Sequence, residues 1–393
     1  MAILSVNAGS SSLKFALHPV QNGAVQPHIL DGNAAGLEPG GQAEVGWTWE
    51  GKSQTRVLPV SAQDPFDDAL GFLRSLLADI PQLPAIQAVS HRVVHGGRHF
   101  DKAVRATPAV LAQLAQLNAL APLHQPHNLA GVSAFSKAFP EALQVVCFDT
   151  AFHSSMAALA TAFALPAALT DVGVRRYGFH GLSYQFILQR LQQHSARANG
   201  RLLLAHLGNG ASVCAVRDGR SIATSMGFSA LDGLMMGTRS GSLDAGVLLY
   251  LMEQGWDHDR IQKLLYKQSG LLGVSGISAD MRRLRADGSA QARFALDLFA
   301  YRLLRETGAL IACLEGVDVL AFSGGIGEHD AQLRGQVLGQ LGWLGVAIDP
   351  AKNQAAKGDQ VVAIHSAESR VEVWVVPTDE GFIAAQEAFK LMP

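Results

Sequence analysis

A chain of 393 residues, 48% of them hydrophobic and 16% charged, can bury a large core and is expected to divide into two domains. Its formal net charge of −2 offers no electrostatic footprint for nucleic acid or an anionic membrane. No uncharged apolar run reaches the roughly 18 residues that a membrane-spanning helix needs. Cys147, Cys214 and Cys313 are widely spaced, lack a C-x-x-C pattern and each sit in an apolar run, so they read as buried filler in a reducing compartment. Met1 leads straight into an apolar segment without a basic leader, and a soluble, cytoplasmic protein is expected.

In chain order, Ile3–Val6 reads as a strand, and Phe15–Leu17 as its hairpin partner. Between them, Asn7-Ala8-Gly9-Ser10-Ser11-Ser12-Leu13-Lys14 combines small residues, hydroxyls and one lysine. Such a turn suits phosphate oxygens, since backbone N–H groups can approach closely and lysine adds a point charge. It also suits a plain polar turn. Residues 31–56, rich in glycine and polar residues, read as an irregular β excursion. Asp64-Pro65 opens a helix running to about Ile80, with aspartate as cap and proline in the first turn. The strand Ala88–Ser90 enters a polar turn from His91 to His99. Helices are expected from Thr107-Pro108 to near Ala121 and over Asn128–Phe139, then a buried strand over Gln144–Phe148.

A second hairpin of the same kind is expected in the middle of the chain. Leu202–Ala205 leads into His206-Leu207-Gly208-Asn209-Gly210, followed by the apolar run Val213–Val216. Asn209-Gly210 is also an ordinary two-residue hairpin signal. Helices follow at 183–197, 244–254, 257–268 and 289–314. The strand Val317–Phe322 meets Gly324-Gly325-Ile326-Gly327, a helix runs to Gly342, and the strand Val371–Val376 precedes a helix over 381–391. Alternation of strands and helices argues an α/β fold.

The chemistry-bearing residues fall at strand ends and in glycine turns. Asp149 follows one strand and Glu380 another, where open α/β sheets place ligands, and two such carboxylates could share one divalent cation. Either could instead cap a helix or sit on the surface. Arg92 in His91-Arg92-Val93-Val94-His95-Gly96-Gly97 and Arg239 in Gly237-Thr238-Arg239-Ser240-Gly241 stand in glycine-bounded turns, as does His180 in Tyr177-Gly178-Phe179-His180-Gly181. Arginine forks suit carboxylates and phosphoryl groups, although a single arginine in such a turn is often simply solvated. His124 and His127 lack a thiolate set, which argues against zinc. A Walker A loop is absent, and Gly324–Gly327 does not fit G-x-G-x-x-G.

These motifs, in this order and over nearly the full length, resemble the acetate kinases of the acetate and sugar kinase/Hsp70/actin superfamily: N-A-G-S-S-S-x-K, H-R-V-V-H-G-G, A-P-L-H (Ala121–His124), Y-G-F-H-G, H-L-G-N-G, G-L-M-M-G-T-R-S-G, S-x-D-x-R (Ser278–Arg282) and G-G-I-G-E. The resemblance implies two ribonuclease H-like α/β domains flanking an active-site cleft, residues 1–150 plus 381–393 and residues 151–380, with hinge closure over nucleotide. It implies reversible, Mg²⁺-dependent (or Mn²⁺-dependent) phosphoryl transfer between ATP and acetate by direct in-line displacement, in a homodimer. Asn7, Ser10, Ser12 and Lys14 would face the phosphates, with His206, Leu207, Gly208, Asn209 and Gly210 as a second phosphate hairpin. Asp280, Met281, Arg282, Gly325, Ile326, Gly327, Glu328 and His329 would line the adenosine pocket. Asp149 and Glu380, with Asn7, would position the metal. Arg92 and Arg239 would hold carboxylate and phosphoryl oxygens, and His180 would donate to the equatorial oxygens. Val94, Leu123 and Phe179 would surround the acyl group. Ala230 stands where the family commonly has proline, which should enlarge that pocket. His329 replaces the usual asparagine and Ser242 an aspartate. A propionate or other short-chain acyl kinase, and a non-catalytic nucleotide-binding regulator of the same fold, are the rival readings.

Overall fold

The computed structural model describes residues 1–9, 11–38, 41–59, 64–122 and 124–393, so Ser10 and Leu123 lie outside the described residues. The chain forms two compact units, Met1–Phe152 with Asp379–Pro393, and His153–Thr378. Glu380, placed by the sequence at the end of the second domain, therefore belongs to the first unit.

The first unit is built on strands β1 (Ala2–Ala8), β2 (Ser12–Gln21), β3 (Ala24–Val25), β4 (Leu30–Ala35), β5 (Glu44–Trp49), β6 (Lys52–Val57), β7 (Ile86–Val93), β8 (Val104–Arg105) and β9 (Leu143–Phe148). Their order is β6-β5-β4-β2-β1-β7-β9-β8, with β3 paired to β2. β1 and β2 form an antiparallel hairpin, while β1, β7 and β9 run parallel. Alternation sorts the hairpin's two faces. Leu4, Val6 and Ala8 oppose Leu17, Phe15 and Leu13 over the core, under helices α1 (Pro65–Asp79) and α3 (Gln125–Ala138). Ser5 and Asn7 oppose Ala16 and Lys14 on the other face, where the C-terminal helix Glu380–Phe389 packs. Helix α2 (Pro108–Ala115) packs against α3.

The segment read as an irregular excursion is an ordered antiparallel meander, β4-β5-β6. Gly32 within it carries packing rather than loop character. A Cβ at Gly32 would lie 2.4 Å from the Phe15 ring and 2.8 Å from the Gly46 carbonyl. The polar turn read from His91 onward is also displaced, because β7 continues to Val93 and puts Arg92 on a strand.

Three buried histidines in this unit, His18, His91 and His95, are held neutral by desolvation, each pushed down to about 4. His91 pairs with Gln144 at 2.8 Å, and His95 Nδ1 accepts the Gly97 N–H at 2.8 Å. In the unfolded chain each would protonate near pH 6.5. Unfolding then takes up protons between pH 6.5 and 4, so stability falls as pH falls through that window. Each histidine contributes roughly 3 kcal/mol to the loss at its acid end. Denaturant unfolding across this range should show uptake of up to three protons beyond that of the carboxylates, and replacing His91 by glutamine should shallow the slope.

In the second unit, helices α4 (Ala158–Thr161), α5 (Ala167–Asp171) and α6 (Gly181–His194) precede strands β10 (Arg201–Leu207), β11 (Ala211–Arg217) and β12 (Arg220–Thr224). Helices α7 (Ala245–Glu253), α8 (His258–Lys267), α9 (Gly270–Ser275), α10 (Met281–Asp287) and α11 (Ala290–Leu314) lead to β13 (Val319–Ser323). Helices α12 (Gly324–His329), α13 (Ala331–Gly339) and α14 (Pro350–Ala355) connect to β14 (Val362–Ala363) and β15 (Glu372–Val375), and the chain ends in α15, the helix Glu380–Phe389. The sheet order is β12-β11-β10-β13-β15-β14. β10 and β11 are antiparallel, and β10, β13 and β15 parallel. This repeats the first unit strand for strand: β4-β2-β1-β7-β9 corresponds to β12-β11-β10-β13-β15. The helix expected to continue to Gly342 is divided at Asp330, which caps α13 by accepting the Leu333 N–H at 2.8 Å. Cys147 and Cys214 are buried as expected, but Cys313 is exposed on the outer side of α11.

Candidate active site

In the first unit the site is made at the C-terminal ends of β7 and β9. Arg92 is in register with Cys147, so Asp149, two residues further on, emerges on the same side. Arg92 Nε and Nη2 donate to the two oxygens of Asp149 at 2.8 and 2.6 Å, a bidentate fork, and Nη1 meets Glu380 at 3.0 Å. Glu380 is available for this because it is not the helix cap. Asp379 takes that role, accepting the Phe382 N–H at 2.9 Å. One guanidinium thus faces two carboxylates, Asp149 being only 2% exposed. Burial opposes the charge on Arg92, yet Asp149 and then Glu380 outweigh it and drive its pKa upward. Burial, with the Asp149 charge beside it, raises Glu380 against the pull of Arg92. With Glu380 ionised the cluster keeps a net negative charge.

Asn7 and Lys14 are cross-strand partners at the mouth of the first hairpin, Asn7 half-buried and Lys14 exposed, with Ser12 half-buried beside them. Asn128, which sequence reasoning missed, ties this hairpin to β7. Its Nδ2 donates to the Ala8 carbonyl at 2.7 Å, and its Oδ1 accepts the Val94 N–H at 3.0 Å.

In the second unit the hairpin loop is Gly208-Asn209-Gly210. None of these residues has a positive φ, so the ordinary type I′ turn read from Asn-Gly does not form. The Asn209 carbonyl instead accepts the Gly237 N–H at 3.2 Å, tying the loop that carries Arg239 to the hairpin. A methyl group at position 210 would lie 3.4 Å from His180 Nε2 and 3.6 Å from Arg239 Nη1. Two donors therefore converge over a residue whose lack of a side chain leaves the space between them open. Arg239 is further held by the Ala230 carbonyl at 3.0 Å. His180 adopts a left-handed conformation, φ 60° and ψ 23°, directly before α6. Its Nδ1 meets Ser212 Oγ at 2.8 Å. The His206 ring stacks on it at 4.3 Å, and His206 Nδ1 meets Ser183 Oγ at 2.8 Å. Arg176, also missed from sequence, bridges the Ser225 and Met226 carbonyls at 2.9 Å and Asp232 at 3.2 Å, holding the segment that contains Ala230.

The residues expected around adenosine divide into exposed and structural groups. Gly325, Arg282 and His329 are exposed, and Ile326 is half-buried. Asp280 caps α10 through the Arg282 N–H at 2.8 Å and pairs with the Arg282 fork. That bonding holds its carboxyl down to about 2. Met281 and Leu207 are buried side chains, so they offer a ligand only their backbone. Glu328 is turned inward, accepting the Gly324 and Thr378 N–H groups at 2.8 and 3.1 Å, and burial raises its pKa. The Phe179 ring is 1% exposed, and its carbonyl is held by His153 at 2.9 Å. Arg334, which no sequence signal marked, lies fully buried beneath α12. It donates to the Gly327 and Glu328 carbonyls at 2.8 Å each, and to Asn353.

A sheet repeated twice, each copy opened by a small-residue hairpin, with Arg92, Asp149 and Glu380 clustered in the first unit and His180 and Arg239 beside the hairpin of the second, defines an α/β phosphotransferase of the actin/Hsp70/sugar kinase type. The solved structures agree. The chain superposes on a propionate kinase from Francisella tularensis subsp. tularensis SCHU S4 with a TM-score of 0.90 at 35% identity, covering 98% of each chain. It superposes on the Porphyromonas gingivalis acetate kinase with a TM-score of 0.88 at 36% identity, covering 100% of each. An acetate kinase of Rhodopseudomonas palustris (strain TIE-1) is 47% identical over 99% of this chain and 98% of its own. The acetokinase family model matches residues 2–386, and the chain belongs to that family.

Proposed function

We propose that this chain is an acetate kinase, transferring the γ-phosphoryl group of ATP reversibly to acetate to give acetyl phosphate and ADP. The observation that carries the reading is the convergence of His180 Nε2 and Arg239 Nη1 over Gly210, which suits the oxygens of a phosphoryl group in flight. An acetate oxygen attacks the γ-phosphorus as the bond to the β–γ bridging oxygen breaks. Acetate is already ionised at neutral pH, so no general base is required and His180 serves as a hydrogen-bond donor. Arg92 and Arg239 would hold carboxylate and phosphoryl oxygens, while Asn7, Ser10, Ser12, Lys14 and His206–Gly210 would position the polyphosphate. Asp280–Arg282 and Gly325–His329 would hold the adenosine, through backbone where their side chains are buried.

Among the described residues no group of three or more His, Cys, Asp or Glu side chains forms a ready-made metal cage. Hard oxygen donors from Asn7, Asp149 and Glu380, with net negative charge, nevertheless fit a Mg²⁺ or Mn²⁺ ion that keeps several waters and phosphate oxygens. Such an ion, when bound, would neutralise charge on the transferred group. Among the described residues no helix is long and apolar enough to cross a membrane, and we place the enzyme in the cytoplasm. A homodimer is supported by α7, which has no buried residue although Val247, Leu249, Tyr250 and Met252 lie along it, with Phe294 and Tyr301 also exposed on α11. A second copy of the chain would bury this surface.

A propionate-preferring enzyme is the second reading, favoured by the propionate kinase among the structural neighbours and by Ala230 in place of the family's usual proline. The ratio of kcat/KM for acetate to that for propionate decides between them, since one methylene in such a pocket is worth about 1–3 kcal/mol. Acetate is expected to lead. Ala230→Pro keeps the carbonyl that holds Arg239 and should steepen the preference by about fivefold or more. An unchanged ratio in Ala230→Pro would remove Ala230 from the acyl pocket, and a propionate lead in the native chain would establish the second reading.

A further inference from the structure

The first hairpin and the end of β7 carry residues that would hold phosphate and acetate, and the sheet alone does not fix the distance between them. β1 pairs with β7 only as far as Val6 with His91, and β7 pairs with β9 only as far as Val93 with Phe148. Ala8 and Val94 therefore lie past the point where the β1–β7 ladder stops. A side-chain amide takes over there. Asn128 Nδ2 donates to the Ala8 carbonyl at 2.7 Å, and its Oδ1 accepts the Val94 N–H at 3.0 Å. The side chain is only 4% exposed. A backbone carbonyl can only accept and a backbone N–H only donate, so the two ends of the amide cannot be exchanged. Asn128 acts as one more peptide group set between two strands.

The rest of the joint is built around the same helix. Gln125 stands one turn before Asn128 on α3, and Gly131 one turn after it. Gln125 is fully buried, accepts the His95 N–H at 3.2 Å and donates to the His95 carbonyl at 2.9 Å. Thr150 Oγ1 accepts the Gly96 N–H at 3.0 Å. The N–H groups from Val94 to Gly96 are thus taken by side chains rather than by a neighbouring strand. Gly131 lets α3 come close enough for this, since a Cβ there would lie 2.5 Å from the Ala8 Cβ. Gln125 cannot stand in for Asn128, because its bonds run to His95 and, at 3.4 Å, to the Leu114 carbonyl. Asn128 is the group that reaches both the hairpin and β7.

We propose that Asn128 is a positioning residue that sets the distance between the phosphate-holding hairpin and the acyl-holding end of β7, and so the alignment of the attacking carboxylate with the transferred phosphorus. This rests on the kinase reading above for what is aligned, but not for the joint itself. Asn128→Ala opens the joint while Arg92 keeps Asp149 and Glu380, and Asn7 keeps its place beside Lys14. In the full-length protein kcat should fall by roughly 10²-fold, because in-line geometry tolerates little misplacement, with KM values for ATP and acetate within about threefold. Asn128→Asp keeps an acceptor for Val94 but turns a second oxygen toward the Ala8 carbonyl, and should lose as much. Gly131→Ala leaves Asn128 in place, pushes α3 off Ala8 and should lower kcat in the same way. Leu73→Ala, at a fully buried position of α1 in the same unit, should lower stability while leaving kcat per folded molecule unchanged. The Val94 amide should exchange slowly with solvent deuterium in the native protein, although it lies outside the ladder, and rapidly in Asn128→Ala. Native kcat in Asn128→Ala, or an equal loss of kcat per folded molecule in Leu73→Ala, would overturn the positioning role. Rapid Val94 exchange in the native protein would overturn the joint. A native protein that forms no acyl phosphate would refute the kinase reading and the alignment with it, a result distinct from native turnover that survives Asn128→Ala.

Discussion

Replacing Arg239 by alanine should lower kcat by about 10³-fold or more while leaving the fold intact, because it deletes one of the two donors that converge over Gly210. The loop survives the change because backbone bonds fix it. Met236 N–H donates to the Arg239 carbonyl, Ser240 N–H to Leu265 and Ser269 N–H to Thr238, all between 3.0 and 3.1 Å. The side chain also bonds the Ala230 carbonyl and makes a sulfur contact with Met236. Loss of these should cost about 1 kcal/mol or less of stability. Nucleotide binding, measured by titration without acetate, should weaken only slightly. Arg239→Lys should recover little, since an ammonium cannot reproduce the planar fork. Near-native turnover in Arg239→Ala would remove the second unit's donor pair from the chemistry.

The second large effect falls on stability and activity together. Arg92→Ala removes the cation between the buried Asp149 and the half-buried Glu380, leaving the two carboxylates to face each other. Breaking one side of a buried ion pair costs about 3–5 kcal/mol. The pH dependence has a definite sign. Burial and Asp149 already raise Glu380, and without Arg92 its pKa rises further. A carboxyl raised in the folded state binds a proton there before it would in the unfolded chain. The penalty is therefore full above the raised pKa and relieved as pH falls through it. The stability gap between native protein and variant should narrow on acidification, read from paired denaturant curves. The companion change Glu380→Gln should restore part of the loss at neutral pH. A gap that widens on acidification would mean that Arg92 does not stabilise this cluster by charge. Turnover should fall in Arg92→Ala with a rise in KM for acetate, the substrate whose carboxylate Arg92 would hold.

Much of the fold was legible because local chemistry and tertiary structure agree. Asp64-Pro65 starts a helix wherever it occurs, and both Gly-rich hairpins lie between apolar strands. The motif residues at strand ends, Arg92, Asp149 and Glu380, come together because the parallel strands β7 and β9 and the start of α15 finish at one edge. The errors arose where a residue's meaning depends on a neighbour distant in sequence. Gly32 reads as part of an irregular excursion, but its small size accommodates the Phe15 ring and the Gly46 carbonyl of the neighbouring strand. Glu380 pairs with Arg92 only because Asp379 does the capping, and nothing local in Thr378-Asp379-Glu380 orders those two carboxylates. Nothing local around Phe179 and Glu328 announces the His153 bond to the Phe179 carbonyl, or the Gly324 and Thr378 N–H groups held by Glu328. Asn128, Arg176 and Arg334 carry no signal in their own segments. Their partners include backbone groups supplied by other elements, and only the folded chain brings these within bonding distance.

The most direct test is a single-turnover reaction of the purified protein with ATP, Mg²⁺ and acetate, with acyl phosphate trapped by hydroxylamine and ADP counted in the same samples. The account predicts one acetyl hydroxamate for each ADP, with both lost together in Arg239→Ala. ADP formed without hydroxamate, or ATP bound but never cleaved with any short carboxylic acid, would contradict it.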